Sequence, residues 1–544
     1  MSVSHSGWFR RIFRIGLGVV LLMLAAYGMW LRFNYLERRD LPLPPPGQAF
    51  ETGFPVLPAI SGEGLPVDGI QGNTHGVVAA SESPIGLPPV GGVDVIPGEY
   101  VLYYADGFTR ARLLGAARRH GVRILAEQDG ALRVRARDRA GLAALLRGVA
   151  GQVEVESNLF VRIPPLDEPG DALRAPAVAY RGFADQAPAW LGVPEPQAEW
   201  GRGVMVAVLD TGVAGVPVSQ RLDLVGAGGV GQHGSLVAGV LAKMLPGASI
   251  LDVQVMSQDG IGDAFTVAKG IRAAVDAGAR IINLSIGTRG ESRMLAEAVR
   301  YAQEKGVLLV ASAGNEGVSR VSYPAAYDGV LSVAAIDADE RHLYFSNRGD
   351  RVDVAAPGVG VMVMLDGVGS VSFSGTSAAA PFVTATAGLA LGLHDALDGA
   401  SIFDLIVQTA NDTGSPGADA LTGAGIVSPV RAMEWNQPGI VDMGVLRPHF
   451  EKNEVGDVQS VMVAAQNRGT VGLATVEMIV VVNDREYRLI FEGIGSGATI
   501  AHRLDTSRYV RADGALDVTV RVVVPGDIRP DDNQIRSVWL PVAP

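Results

Sequence analysis

Apolar positions follow several different patterns along this chain, and each pattern marks its own stretch. Residues 15–31 are an uncharged, mostly apolar run of 17 residues. A membrane-spanning helix needs about 17–25 such residues. Arg10, Arg11 and Arg14 precede the run, and Trp30 and Tyr35 stand at its far end, as interfacial aromatics do. A cleaved signal peptide has an apolar core of only about 7–15 residues and a small-residue cleavage site. Here the core is longer, and bulky Tyr27, Met29 and Trp30 follow Ala25 and Ala26. The run therefore reads as an uncleaved signal anchor, residues 1–40, with a cleaved signal as the alternative. The flanking arginines argue against a buried soluble helix. Arg32, Arg38 and Arg39 nearly balance the earlier arginines, so charge alone does not set the orientation.

Residues 41–97 show no persistent apolar period and hold 11 of the 31 prolines, which predicts an extended linker. Residues 98–163 return to order. A strand is predicted over 100–104 and a helix over 111–120. Leu132, Val134 and Ala136 alternate with Arg133, Arg135 and Arg137, a period of two that marks a half-buried strand. A second helix is predicted over 140–149. Val153 and Val155 alternate with Glu154 and Glu156. The order βαββαβ is that of a small α+β, ferredoxin-like unit. Residues 164–196 are again proline-rich and predicted to be a linker carrying a processing site.

Residues 197–437 switch to continuous apolar runs at 204–209, 250–255, 280–285, 307–311 and 330–335. Such runs suit parallel strands buried on both faces. Helical patterning fills 265–278 and 292–306, each ending at glycine. The alternation predicts an α/β doubly wound parallel sheet, whose sites sit beyond the carboxyl ends of the strands. Residues 438–544 change to an all-β pattern, with strands predicted at 458–465, 475–482, 487–491 and 516–524 and turns at Asn467-Arg468-Gly469, Asn483-Asp484 and Asp531-Asp532-Asn533. A β-sandwich is expected there.

Composition narrows the function. The chain has 544 residues and a net charge of −12, which disfavours nucleic acid as a partner because phosphate binding needs a basic surface. It has no cysteine, which excludes disulfides and thiolate metal sites. Residues 98–163 run against the overall balance, with eleven arginines to seven acids.

Four segments carry chemistry. Asp210 closes the first apolar strand and precedes Thr211-Gly212, at the functional edge of the sheet; alone it reads as a strand-end turn or a helix cap. His233 opens a helix that Leu236, Val237, Val240 and Leu241 would bury, with Gly231 and Gly234 on either side. Ser377 opens an alanine-rich helix in Gly375-Thr376-Ser377-Ala378-Ala379-Ala380-Pro381, either as an N-cap or as a nucleophile at a positive helix end. Asn315, in Ala313-Gly314-Asn315-Glu316-Gly317, is a turn former or an amide aimed at developing negative charge. A serine nucleophile needs a histidine base, and the histidine needs a carboxylate to set its tautomer. All the pieces fall at strand ends or helix starts of one predicted sheet.

Together these segments resemble the subtilisin-like serine proteases, the subtilases of peptidase family S8. Val206-Ala207-Val208-Leu209-Asp210-Thr211-Gly212 matches the aspartate motif, His233-Gly234-Ser235-Leu236-Val237-Ala238-Gly239 the histidine motif, and the Ser377 and Asn315 segments the serine and oxyanion motifs. The order Asp, His, Ser is that of subtilisin. Leu236 stands where the family usually has a second histidine, and Ala378 where it usually has a methionine. The stretch from Asp210 to His233 lacks the acidic insert that often holds calcium, so neither a cofactor nor a structural calcium is supported.

The resemblance implies a serine endopeptidase acting on protein or peptide substrates. Asp210, His233 and Ser377 would form its triad, with Asn315 in the oxyanion hole. Ser285, Ile286 and Gly287, together with Gly260 and Gly262, would bind extended peptide, and Ala313 and Gly314 would wall the first pocket. Residues 98–163 resemble the family's inhibitory propeptide, with a self-inflicted cut expected between 163 and 182. The expected setting is a single-pass membrane protein with its catalytic part outside the cytoplasm, in a bacterial periplasm or at the cell surface, and released if cut. Two rivals remain. One is a catalytically silent, membrane-tethered scaffold that binds a partner through its β-sandwich. The other is a nucleotide-binding protein, hinted at by Gly226-Ala227-Gly228-Gly229, but no Gly-x-Gly-x-x-Gly opens a helix after the first strand.

Overall fold

The computed structural model describes residues 87–88, 92–164, 180–226, 229–453, 458–506 and 515–540. The predicted anchor and most of the first linker lie outside the described residues.

The first unit runs β1 (Val95–Tyr104), α1 (Gly107–Ala116), β2 (Val122–Gln128), β3 (Ala131–Ala136), α2 (Arg139–Arg147) and β4 (Val153–Arg162). Asp106 and Asp138 cap the two helices, each accepting a backbone N–H at 2.7 Å. The predicted helix at 111–120 instead starts at Gly107 and tightens to a 3₁₀ turn over Ala117–His120. Leu102, Leu113, Leu132, Leu142 and Leu146 are fully buried between helices and sheet. The 41–97 linker is cut short at its end, because Val95 already pairs with Leu159.

The α/β body begins earlier than residue 197. Its first described stretch holds α3 (Ala187–Trp190), and Phe183, Ala187, Leu191 and Val193 are buried in the main core. Phe183 donates to Val359 O at 3.1 Å, and Met362 to Ala184 O at 2.8 Å. Residues 180–196 are thus part of the body and not a linker. Their prolines misled, because the apolar residues between them are spaced by no regular period.

Next come β5 (Met205–Asp210), β6 (Gln220–Asp223), α4 (Gln232–Met244), β7 (Ser249–Gln254), β8 (Ile261–Asp263), α5 (Ala264–Asp276), β9 (Ile281–Leu284), α6 (Arg293–Glu304), β10 (Leu308–Ser312), β11 (Val330–Ile336), β12 (Val354–Pro357), β13 (Val361–Leu365), β14 (Gly369–Phe373), α7 (Thr376–Leu393), α8 (Gly399–Gln408) and α9 (Pro429–Glu434). Seven strands form one parallel sheet in the order β12-β11-β10-β9-β5-β7-β6. The order reverses beside β5, so the carboxyl ends of β5 and β9 open a crevice between them. Helix α7 is buried from Thr376 to Leu391. It is long and apolar enough to cross a membrane, yet 89% of its apolar window lies inside the protein, which makes it a core helix.

The last stretch forms two antiparallel sheets of four strands each. The first holds β15 (Met443–Val445), β16 (His449–Lys452), β17 (Val458–Asn467) and β20 (Thr499–Asp505); the second holds β18 (Leu473–Val482), β19 (Arg485–Ile494), β21 (Leu516–Val523) and β22 (Gln534–Trp539). Val461, Val463, Met478, Val480, Val518 and Val520 share one core between them. Buried Arg431 of α9 ties this part to the body through Ala410 O at 2.5 Å and Arg468 O at 3.2 Å. A cavity of about 620 Å³ opens at the junction, and none of the four candidate residues lines it.

Candidate active site

Asp210 is the last residue of β5 and is fully buried. Both its oxygens lie 2.9 Å from His233 Nδ1, and Oδ1 also accepts the Thr211 N–H at 2.7 Å. His233 is the second residue of α4, and Phe373 meets its ring edge-on at 5.5 Å. Gly234 explains how the pair comes so close. A Cβ there would sit 2.5 Å from Gly212 O and 3.0 Å from Asp210 Cβ. Behind Asp210, Asp252 accepts from Val213 N–H at 3.1 Å and Arg221 Nε at 2.6 Å. Burial pushes the Asp252 carboxyl above its ordinary value in spite of that arginine.

Ser377 is the second residue of α7, and the cap position is Gly375 at φ 117°. The N-cap reading of Ser377 is therefore replaced: the glycine makes the turn, and the serine side chain is free of capping duty. Asn315 follows β10. Its Oδ1 accepts from Thr376 N–H and Thr376 Oγ, both at 2.9 Å. That leaves Nδ2 as the outward donor, and it meets Pro164 O at 3.1 Å. Ser377 Oγ donates to Ser285 O at 3.1 Å, while His233 Nε2 is buried without a hydrogen-bond partner. In this state the hydroxyl and the imidazole are not bonded to each other.

The residues expected to bind peptide are present, and the protein's own chain lies between them. Arg162 and Gly287 exchange two backbone hydrogen bonds of 2.8 Å. On the other side, β4 pairs antiparallel with β8, matching Val161 to Gly262, and Ile163 N–H donates to Gly260 O at 3.1 Å. Ser285 and Ile286 are buried in the wall next to Gly287. Ala313 is buried, and Gly314 takes φ 106° beside Ser322 and Asn347. All four candidate catalytic residues and both peptide-binding segments thus converge on one crevice.

Sequence reasoning missed Thr376, which orients the Asn315 amide, and Asn283, whose Oδ1 accepts Thr384 Oγ at 2.8 Å and whose Nδ2 donates to Ser285 Oγ at 3.0 Å. Thr376 stood next to Ser377 and was visible; Asn283 looked like one polar residue in an apolar strand. It also missed Pro164. Among the described residues, no cluster of three or more histidine, aspartate or glutamate side chains is placed to hold a metal ion.

Comparison with known proteins shows the family. The profile of the family described as "Subtilase family" matches residues 201–425. The thermostable alkaline protease of Halalkalibacterium halodurans is 38% identical over 256 residues, spanning 43% of this chain and 69% of that protein. Subtilisin BL of Lederbergia lenta is 34% identical over 249 residues, spanning 42% of this chain and 90% of that protein. Subtilisin Savinase, from the same organism, has the same identity and coverage. Sequence shared at this identity with an alkaline protease and with subtilisins over most of their length makes the chain a member of the subtilase family and a serine endopeptidase.

Proposed function

We propose that this chain hydrolyses peptide bonds with Ser377 as nucleophile, His233 as base and then acid, and Asp210 as the group that orients His233 and stabilises its cation. Asn315 Nδ2 and the Ser377 N–H hold the oxyanion. The observation that carries this reading is the Asn315 amide, which donates to a peptide carbonyl, that of Pro164, at 3.1 Å. A peptide thus lies with its carbonyl where an oxyanion would form. Substrate binds as a strand between 260–262 and 285–287, replacing residues 160–163. Residues 92–164 act as the chain's own inhibitor. The anchor at 15–31 would tether the protein, with its catalytic part in a bacterial periplasm or at the cell surface until a cut in the stretch 163–182 frees it.

The test is casein hydrolysis by the purified full chain, followed over hours, against Ser377→Ala and His233→Ala. Either change should remove about 10⁶ of turnover, the loss measured for subtilisin itself rather than one calculated from this geometry. Activity within tenfold of the unaltered chain would remove the triad assignment. Phosphonate labelling adds a direct readout, with the adduct expected on Ser377.

A further inference from the structure

The bond that follows the carbonyl held by Asn315 has an unusual chemistry. Asn315 Nδ2 marks the Pro164 carbonyl as the one in the oxyanion position, so the bond presented is that between Pro164 and the next residue in the sequence, Pro165. Arg162 and Gly287 form a pair that exchanges both hydrogen bonds. In an antiparallel ladder such pairs recur every second residue, which puts position 164 opposite Ser285. A residue with an N–H at 164 would donate to Ser285 O. Proline has none. Ser285 O instead accepts the Ser377 hydroxyl at 3.1 Å, and His233 Nε2 is left without a partner.

We propose, building on the triad reading above, that residues 160–164 are a substrate-shaped plug which the site holds and does not cut, because Pro164 and Pro165 each remove a hydrogen that catalysis needs. The first effect is on the nucleophile. Without a peptide N–H at Ser285 O, that carbonyl captures the Ser377 hydroxyl and turns it from His233. An occupant with an N–H there takes Ser285 O for itself and releases the hydroxyl to His233 Nε2.

The second effect is on the leaving group. In hydrolysis the Ser377 Oγ–carbon bond forms, the carbon–nitrogen bond to residue 165 breaks, and the serine proton passes to His233 Nε2 and then to the departing nitrogen. Water then releases the acyl group as a carboxylate. The nitrogen of residue 165 must turn its lone pair toward His233 to receive that proton. Proline carries Cδ where other residues carry hydrogen, so the turn would swing a ring carbon into the site. Loss of general-acid assistance costs about 10²–10⁴ in rate.

Two consequences follow for the molecule. Its own cleft is filled, so any Ser377-dependent cut elsewhere in the stretch 163–182 requires residues 160–164 to leave a cleft first. Peptides with proline on both sides of the presented bond are ligands of this site and not substrates.

The experiment uses the full chain unaltered, with Pro165→Ser, and with Pro164→Leu plus Pro165→Ser, each made both with Ser377 intact and with Ser377→Ala. Intact mass and N-terminal sequencing follow a cut between 164 and 165. The unaltered chain should stay whole at that bond. Pro165→Ser should cut there at least about 100-fold faster, the double variant faster still, and every Ser377→Ala chain should remain uncut. Cutting of the unaltered chain at 164–165 as fast as the double variant would overturn the proposal. So would a double variant that hydrolyses added casein yet never cuts itself there, since the triad would stand but the prolines would not be the obstacle. If no chain cuts itself and none hydrolyses casein, the triad reading itself has failed.

Discussion

Ser285 and Ser377 hold each other through two reciprocal hydrogen bonds: the Ser377 hydroxyl donates to the Ser285 carbonyl, and the Ser285 hydroxyl to the Ser377 carbonyl, each at 3.1 Å. The second bond has its origin in Pro381, inside α7 and four residues beyond Ser377. An ordinary residue at 381 would donate its N–H to Ser377 O. Proline cannot, so a buried carbonyl next to the proposed nucleophile needs another donor, and Ser285 supplies it. The proposed substrate-binding wall and the proposed nucleophile are therefore tied together by both bonds.

Ser285→Ala should leave the Ser377 carbonyl and the Asn283 amide each short of a partner. The expected cost is about 1–3 kcal/mol of stability, read as a lower urea midpoint at unchanged slope. An unchanged midpoint would mean that another donor satisfies Ser377 O.

Asn315→Ala should lower kcat by about 10²–10³, a magnitude taken from the same change in subtilisin. KM should move little, because the amide gains most as the oxyanion forms. A rise in KM with kcat preserved would make Asn315 a ground-state contact.

Gly234→Ala should cut activity toward the loss expected for removing the aspartate, about 10⁴, although no catalytic atom is deleted. The added Cβ has no room between Gly212 O and Asp210, so the Asp210–His233 pair must part. The imidazole NMR signal of His233 should report this directly; an unaltered downfield proton with full activity would contradict it.

Arg133→Ala should loosen the grip of residues 92–164. Arg133 bonds Glu99 at 2.9 Å and Asp263 at 2.7 Å, and Asn158 Nδ2 bridges the same two carboxylates at 3.1 and 3.0 Å. Arg133 is partly exposed and Glu99 keeps Arg135 and Asn158, so the cost should stay below the about 3–5 kcal/mol of a fully buried pair. Amide exchange of residues 160–163 should speed up, and casein hydrolysis by the full chain should rise. No change in either would show that the apolar contacts alone hold the plug.

Acid should loosen the same grip in a defined window. Burial acts to raise the Glu99 carboxyl, but Arg133, Arg135 and Asn158 outweigh it and hold it below its ordinary 4.5. Asp94, bonded to Arg289 across the interface, is likewise held below 3.8 against the opposing effect of burial. Depressed carboxylates stabilise the assembled form fully above the ordinary values, and that stabilisation fades as pH falls through the lowered ones. Exchange at 160–163, corrected for the intrinsic pH dependence of amide exchange, should thus be flat from neutral pH to about 5 and rise only in stronger acid. A rise between pH 7 and 6 would point to other groups.

Much of this was legible in the sequence, for definite reasons. The parallel strands are buried on both faces, so apolar runs such as 204–209 and 307–311 announced themselves within a residue or two. Asp210, His233, Asn315 and Ser377 lie where their segments leave strands or enter helices, and local sequence encodes such positions. A proline-spaced stretch such as 180–196 has no period to read, and only packing around Phe183 and Leu191 shows where it belongs.

The sequence by itself determined the family and the order of elements and named the candidate reactive groups, since these rest on short-range spacing and on which side chains carry protons. What occupies the cleft was decided by tertiary structure alone. Pro164 and Asn315 stand 151 positions apart, as do no residues of a local motif. Their meeting depends on β4 adding to β8 in one register. A shift of that register by one residue would present a different bond to Ser377, because in a ladder each step turns every side chain and carbonyl to the opposite side.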